Sequence, residues 1–263
     1  MPKVEKHDPG VPSWVDLGTP DLDASIAFYS GLFGWDIQKG SEAAGGYSMC
    51  LLRGVPVAGM GPLMMEGQPP SWSTYISVAD CAKTTAKAVG AGGQVFVEPM
   101  RVEVEGEYFG TMSVFADSTG AAVSIWEAGS HPGAGLVNEP GCLSWNELVT
   151  RDIEAAKVFY ATAFGWGAVT SDTPPTTYTE WKIGERSIGG MLQMNEEWPP
   201  EISAHWMVYF GVADCDESAA RAEELGATVM VGPTEIPGVG RFSLLEDPAG
   251  AKFTIIQFGS TSD

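Results

Sequence analysis

Basic side chains are scarce in this 263-residue chain, which has 14 Lys and Arg against 34 Asp and Glu and a formal net charge of −20. A surface with this charge repels phosphate backbones and anionic lipid headgroups at long range. We therefore expect neither nucleic acid nor a membrane among the partners. The charge is compatible with a cationic ligand and equally with a merely soluble acidic surface.

Long apolar runs are also missing. The opening segment MPKVEKHDPG has no apolar core of the kind a signal peptide needs, and no later segment approaches the roughly 18 apolar residues of a membrane span. The sequence thus predicts a cytoplasmic protein.

Several chemical motifs are absent as well. The chain has no P-loop, no dinucleotide glycine fingerprint and no nucleophile elbow, so we expect no nucleotide cofactor. Its cysteines include no CxxC pair, which argues against a zinc cluster and against a redox pair. They are Cys50, Cys81, Cys142 and Cys215.

What the sequence does contain is a tandem repeat. A shift of 131 residues aligns the N-terminal third with the middle without gaps, and WVDL and FYSGLFGW answer WNEL and FYATAFGW. Near the ends of the copies, FADSTGAAVSIW answers LEDPAGAKFTII. We interpret the chain as two domains, residues 11–128 and 141–258, joined by a Gly- and Pro-containing linker over 129–140.

Each copy repeats one pattern of elements twice. A short strand (SWVDLGT, then STYISV) leads into a helix with a capping residue, Thr19-Pro20 or Asp80, and further short strands follow between Gly-rich turns. The sequence therefore predicts an α+β fold built from four βαβββ modules, two in each domain.

The order of these motifs resembles the vicinal oxygen chelate superfamily of glyoxalases, bleomycin-resistance proteins and ring-cleaving dioxygenases. Within it, the chain looks most like the two-domain glyoxalase-like proteins of actinobacteria, many described as hydroxylases and some found beside aromatic polyketide pathways. The resemblance implies that each domain is a curved mixed sheet wrapped around a cup that holds the ligand. Single-domain members usually dimerise, so fusion of two domains makes either a monomer or a homodimer feasible.

Enzymes of that superfamily hold a metal with His, Glu or Gln from the first and last strands of a half-domain. In this chain the corresponding positions carry Asp16, Ser73 and Ser124 in the first copy and Glu147, Met207 and Thr254 in the second. Each copy keeps one carboxylate where a stable site needs about three protein ligands. We therefore predict no metal at these positions and no other cofactor. The alternative is a relocated site that uses Asp16, Glu147 and His205.

Strand alternation predicts which side chains line the two cups. The first cup is expected to present Trp14, Asp16, Ser73, Tyr75, Ser124 and Trp126. The second is expected to present Trp145, Glu147, His205, Met207, Tyr209 and Thr254. Aromatic walls with one carboxylate suit a flat ligand that bears a hydroxyl or an amine, although repeat-equivalent aromatics also pack the shared sheet.

Ionisable residues favour the second cup as the functional one. Glu147 beside His205 would form an acid/base pair, and we take these two as the catalytic candidates. Arg241 either anchors an anionic group of the ligand or pairs with a nearby carboxylate.

Three functions remain open on the sequence. The preferred one is a metal-independent protein that binds or tailors a small aromatic or cationic molecule, with a hydroxylase role in secondary metabolism as one form. The others are a glyoxalase- or dioxygenase-like metalloenzyme with relocated ligands, and a structural or interaction protein whose cups have closed.

Overall fold

A computed structural model describes residues 3–64, 67–173 and 176–259 of the chain. The first half forms an eight-stranded mixed sheet with two helices. In chain order its elements are β1 (Pro12–Thr19), α1 (Leu22–Phe33), β2 (Asp36–Gln38), a 3-10 turn (Glu42–Ala44), β3 (Ser48–Leu52), β4 (Val55–Pro62), β5 (Ser71–Ser77), α2 (Cys81–Gly90), β6 (Gln94–Val104), β7 (Glu107–Ala116) and β8 (Ala122–Ala128).

The second half repeats this order. Its elements are β9 (Leu143–Thr150), α3 (Ile153–Phe164), β10 (Gly167–Thr173), β11 (Thr176–Ile183), β12 (Arg186–Gln193), β13 (His205–Gly211), α4 (Cys215–Glu224), β14 (Thr228–Ile236), β15 (Gly240–Glu246) and β16 (Lys252–Phe258). No helix in the described ranges is long and apolar enough to cross a membrane.

The two sheets have the same topology. The strand orders are β2-β3-β4-β1-β5-β8-β7-β6 and β10-β11-β12-β9-β13-β16-β15-β14. In both, the central pair is antiparallel and each of its strands has a parallel neighbour on the other side. The predicted α+β fold with four βαβββ modules in tandem is confirmed.

Local sequence signals set the ends of the first helix in each domain. Asp21 and Asp152 cap α1 and α3 by accepting from the backbone N–H three residues on. The cap of α1 is therefore Asp21 and not the predicted Thr19-Pro20, because only the Asp21 carboxylate reaches the amide of Ala24. Both helices end at a left-handed glycine, Gly34 or Gly165.

The two domains pack back to back, and their modules are paired crosswise. One buried cluster joins β1 and α1 of the first domain to α4 and β16 of the second, and another joins α2 and β8 to α3 and β12. The first module thus shares a core with the fourth and the second with the third. Between the sheets, the Thr74 hydroxyl and the Asn146 amide oxygen are hydrogen-bonded at 2.8 Å. The two opposite faces, which form the cups, point away from each other.

Repeat-related polar contacts cross the interface between the domains. Tyr29 donates to Asp247 at 3.0 Å, and its counterpart Tyr160 donates to Asp117 at 2.8 Å. Trp72 and Trp206 donate to the same two tyrosine hydroxyls. The FY dipeptide in the first helix of one domain therefore meets the aspartate in the turn before the last strand of the other domain. These contacts lie at the interface and not in a cup.

Candidate functional site

A hydrogen-bonded carboxyl group lies on the floor of the second cup. Glu147 on β9 accepts from the Tyr209 hydroxyl of β13 at 2.8 Å and from the Tyr178 hydroxyl of β11. The Tyr178 hydroxyl in turn accepts from Trp145 Nε1 at 2.9 Å. Trp145, Glu147 and Tyr209 share this face because Met207 and Tyr209 are the register partners of Glu147 and Trp145.

A glycine makes room for the Tyr178 ring. Tyr178 crosses over Gly190 on the neighbouring strand β12, where an added Cβ would stand 1.9 Å from the hydroxyl. The first domain is built in the same way, since a Cβ on Gly59 would stand 1.8 Å from the Tyr47 hydroxyl. The glycine is thus part of the sequence pattern that positions the carboxyl group.

The environment of Glu147 favours its neutral form. The residue is only 5% exposed, and burial raises its pKa to about 7, although the hydrogen bonds from Tyr209 and Tyr178 oppose the shift. A carboxyl group with this pKa can take up or release a proton near neutral pH.

The first cup contains the same network around a shorter side chain. Asp16 accepts from Tyr75 at 2.8 Å and from Tyr47 at 3.3 Å, and Trp14 Nε1 donates to Tyr47 at 2.9 Å. Burial raises the pKa of Asp16 to about 6, against hydrogen bonds from Tyr75, Tyr47 and Ser73.

The linker covers the aromatic end of the first cup. The His131 ring packs edge-to-face on Trp14 with a centroid distance of 4.5 Å and lies 5.8 Å from Trp126. Ala134 is fully buried and joins Trp14, Tyr75 and Trp126 in one cluster. Trp14 is consequently only 4% exposed, whereas its counterpart Trp145 is partly exposed.

The β6–β7 hairpin extends over the same cup. Ser41, in the loop after β2, donates to Glu105 at the tip of this hairpin at 3.3 Å, so a contact joins segments from the two edges of the sheet. The equivalent strands of the second domain, β14 and β15, are shorter by 2 and 3 residues. Among the residues that the structure describes, the aromatic end of the second cup is therefore the less covered of the two, although Glu147 is buried and Asp16 is partly exposed.

The remaining cup candidates are placed as follows. Ser73 and Tyr75 pair with Asp16 and Trp14 across β1 and β5, and Ser124 and Trp126 continue the same face on β8. In the second cup, Thr254 lies beside Tyr209 and its hydroxyl is buried without a partner of good geometry.

His205 does not form the predicted pair with Glu147. It is on the same face of β13 as Met207 but opposite Val149, and its Nδ1 lies 2.8 Å from the Ser203 carbonyl oxygen. Burial is the main cause that lowers its pKa, and no charge on Glu147 contributes. The partners of Glu147 in the structure are the two tyrosines.

Arg241 does not line the second cup, which corrects the expectation that it anchors a ligand there. It lies on the same face of β15 as Ser243 and Leu245, the face that packs against α4, and it forms an ion pair with Asp216 of α4 at 2.6 Å. The other expected role, pairing with a nearby carboxylate, is the one the structure shows.

The residues present do not fit the metal that the fold family implies. Asp16 and Glu147 lie in cups that face opposite sides of the molecule, so they cannot share an ion with His205. Among the residues that the structure describes, no three His, Cys, Asp or Glu side chains converge on a possible metal position. The carboxyl groups of both cups are engaged by tyrosine hydroxyls instead.

A surface pocket of about 420 Å³ lies apart from both cups. It is lined by residues near the ends of β9, β11 and β12 and by the loop that follows β12, including Arg151 and Glu196. Arg151 donates to the Pro199 carbonyl at 2.8 Å, so the guanidinium serves to hold this loop.

Sequence reasoning missed two residues of the site, Tyr47 and Tyr178. Both occupy matched positions of the repeat, each 12 residues before the equally matched Gly59 or Gly190. The constant spacing between the tyrosine and the glycine was the available signal. It indicates that the tyrosine crosses over the glycine only when the strands that contain them are known to be neighbours.

Stability should fall as the pH rises from about 4.5 to 7 because of Glu147. Its folded pKa of about 7 lies above the ordinary glutamate value of 4.5, so the native state binds more protons than the unfolded state across this range. Glu147→Gln should remove this part of the slope, and should leave the protein at least as stable as wild type at pH 8. Chemical denaturation of both proteins between pH 4 and 8 measures it. Parallel curves would show that burial of the carboxyl group costs nothing.

Comparison with known proteins agrees with this architecture. A family model described as "Glyoxalase/Bleomycin resistance protein/Dioxygenase superfamily" matches residues 12–125, and one described as "Glyoxalase-like domain" matches residues 146–256. The chain belongs to the glyoxalase/bleomycin resistance protein/dioxygenase superfamily.

Similar curated proteins span the whole chain. One is "Putative glyoxylase CFP32" of Mycobacterium tuberculosis, which is 40% identical over 263 residues and covers 98% of both chains. Another is "Anthracycline biosynthesis protein DnrV" of Streptomyces peucetius, which is 36% identical over 269 residues and covers 97% of this chain and 95% of that protein.

Solved structures share the fold at low identity. The Mn(II)-bound glyoxalase from Novosphingobium aromaticivorans has a TM-score of 0.65 at 17% identity and covers 95% of this chain and 82% of its own. The 2,2',3-trihydroxybiphenyl 1,2-dioxygenase from Sphingomonas wittichii has a TM-score of 0.64 at 14% identity, covering 96% and 91%.

Proposed function

We propose that the protein binds or chemically modifies a small aromatic metabolite in its second cup, and that it does so without a metal ion. The observation that carries this proposal is the buried Glu147 carboxyl, which two tyrosine hydroxyls hold beside the partly exposed Trp145. An aromatic wall next to one acid suits a flat ring with a hydroxyl or amine substituent.

Glu147 is the group that would exchange a proton with the ligand. Tyr209 and Tyr178 already donate to it, so the carboxyl needs no further protein donor. A ligand hydroxyl or ammonium group could approach it as an additional donor, and with a pKa of about 7 the carboxyl can accept that proton near neutral pH. This gives Glu147 the role of general base, and in its neutral form that of general acid.

Two further observations favour a metal-free function for an aromatic ligand. The family ligand positions carry Ser73, Ser124, Met207 and Thr254, which are poor donors for a hard divalent ion. The similar protein from Streptomyces peucetius has a name that refers to anthracycline biosynthesis, and anthracyclines are aromatic. For this chain we therefore propose a role in secondary metabolism, with hydroxylation of the metabolite as one candidate reaction.

The proposal also includes a cytoplasmic monomer or homodimer. All four cysteines are buried as free thiols, which is typical of reducing compartments. The contact that a single-domain relative would make with a second copy is here made between the two domains. Sedimentation velocity decides between the two oligomeric states.

Glu147→Gln should weaken the binding of phenolic ligands about ten- to hundredfold, whereas Asp16→Asn should have little effect. A lost charge-assisted hydrogen bond costs about 1.5 to 3 kcal/mol, and the amide keeps the shape of the side chain. The two variants form a matched pair, because both carboxyl groups accept from two tyrosines. Calorimetric titration with a panel of phenols, naphthols and aromatic amines measures the difference.

Equal effects of the two variants would contradict the assignment, and a larger effect of Asp16→Asn would move the site to the first cup. Metal analysis of untagged protein purified without chelator serves as the independent control. Stoichiometric iron, nickel, zinc or manganese would contradict the metal-free part.

A further inference from the structure

The side-chain ring of His131 occupies the aromatic end of the first cup. Its imidazole packs edge-to-face against Trp14 at an interplanar angle of 83° and lies against Trp126 at 69°. The backbone at His131 and after it is anchored, since Trp126 Nε1 donates to the His131 carbonyl oxygen and the Ala134 amide donates to the Ser13 carbonyl oxygen, both at 2.8 Å. The linker thus inserts a planar ring into the cup at a fixed place.

The cup holds this ring by its shape. His131 Nε2 is buried and has no hydrogen-bond partner. Burial lowers the pKa of the ring to about 4, so it is neutral at physiological pH. Because Nε2 makes no hydrogen bond and the ring lies against Trp14 and Trp126, the position suits a flat, neutral aromatic ring.

The second cup has an equivalent position. Register pairing places Ile256 and Phe242 where the first cup has Trp126 and Met112, and Trp145 occupies the place of Trp14. The aromatic side chain is thus on the last strand, β8, in the first cup, and on the strand next to the last, β15, in the second cup. Trp145 and Phe242 are both partly exposed, whereas Met112 is 9% exposed and Trp126 7%.

We infer that His131 is an internal ligand that occupies the first cup, and that the equivalent position in the second cup, between Trp145 and Phe242, takes the aromatic ring of the external ligand. Glu147 lies next to this position, because Trp145 Nε1 and the Glu147 carboxyl both contact the Tyr178 hydroxyl. The ligand class is a flat neutral ring with a hydroxyl on the side that faces Glu147. The chain then binds a single such molecule, since its first cup is already filled. This inference rests on the proposed function of the second cup.

Calorimetric titration with 2-naphthol tests the ring position in the second cup. Phe242→Ala should weaken binding about tenfold, which corresponds to about 1.4 kcal/mol, because the ligand ring loses its aromatic neighbour. Met112→Ala removes the equivalent side chain of the filled cup and should leave the affinity unchanged.

Substitutions of His131 test the internal ligand. His131→Gly should open the first cup and add a second, weaker binding site for 2-naphthol, while His131→Phe keeps a ring in place and should retain a single site. Free imidazole should also raise the melting temperature of the His131→Gly variant. It should not do so for the control His205→Gly, because the His205 ring lies outside the first cup, with Nδ1 at 2.8 Å from the Ser203 carbonyl oxygen.

The outcomes separate the two proposals. Unchanged affinity in Glu147→Gln would refute the proposed function itself. A weakened Glu147→Gln together with an unaffected Phe242→Ala would refute only the ring position, and a His131→Gly variant with neither a second site nor imidazole rescue would refute the internal ligand.

Discussion

Trp166→Ala is expected to lower the free energy of unfolding by about 3 to 5 kcal/mol, in the range measured for buried large aromatics. Trp166 is 3% exposed and stacks on Tyr160 at 4.9 Å. Its Nε1 donates to the Gly10 carbonyl oxygen of the other half of the chain at 2.8 Å. The substitution thus removes core packing of the second domain and a contact with the first.

Because the modules share their cores crosswise, both domains should lose stability together. Denaturant unfolding followed by far-UV circular dichroism should show a single transition that moves as a whole. Trp35→Ala, at the repeat-related position with Nε1 bound to the Gly141 carbonyl oxygen, should have a similar effect, and Val158→Ala on the exposed side of α3 should change stability by no more than about 0.5 kcal/mol. A transition confined to the second domain would contradict the shared core.

Gly190→Ala is expected to cost about 2 to 4 kcal/mol of stability and to weaken ligand binding at least tenfold. The new Cβ would stand 1.9 Å from the Tyr178 hydroxyl and 2.9 Å from Trp145 Nε1, so both side chains must move. Movement of Tyr178 takes a donor from the buried Glu147 carboxyl and separates it from Trp145. Denaturant titration and calorimetry on the same preparation measure the two effects.

Two glycine variants are the controls for this prediction. Gly59→Ala creates the matching clash with Tyr47 in the first cup, and it should destabilise the protein without changing the affinity of the second cup. Gly232→Ala meets no atom within 4 Å and should be nearly neutral. Equal losses of affinity in Gly59→Ala and Gly190→Ala would show that the effect on binding is only an effect of lowered stability.

The fold was predictable because the repeat and the strand periodicity act locally. Alternation along SWVDLGT places Trp14 and Asp16 on one face and Val15 and Leu17 on the other, and the structure has this arrangement. The crosswise pairing of modules was not predictable. Tyr29 and Tyr160 occupy matched positions of the repeat, so the sequence does not show whether each contacts the aspartate of its own domain or that of the other.

The site was predictable only in part, for the same reason. The carboxyl groups and the central strands follow from the repeat, whereas the hydroxyl donors Tyr47 and Tyr178 come from strands whose neighbours the sequence does not state. A histidine between Ser130 and Pro132 in the linker carries no signal that it lies against Trp14, since its contacts are long-range. Arg241 was considered for the cup because the sequence alone did not show which of its strand's residues face the cup and which face the helix.

The crosswise sharing of cores has a consequence for fragments of the chain. Each half exposes, when alone, the α1 or α3 surface that the other half covers, including Tyr29 without Asp247 and Tyr160 without Asp117. A backbone cut within the linker would leave these contacts in place, so the nicked halves should stay bound to each other. Separately produced halves that retain the linker residues should likewise recover the fold when mixed, as complementing fragments, because the covalent connection itself supplies only a high local concentration of one half around the other.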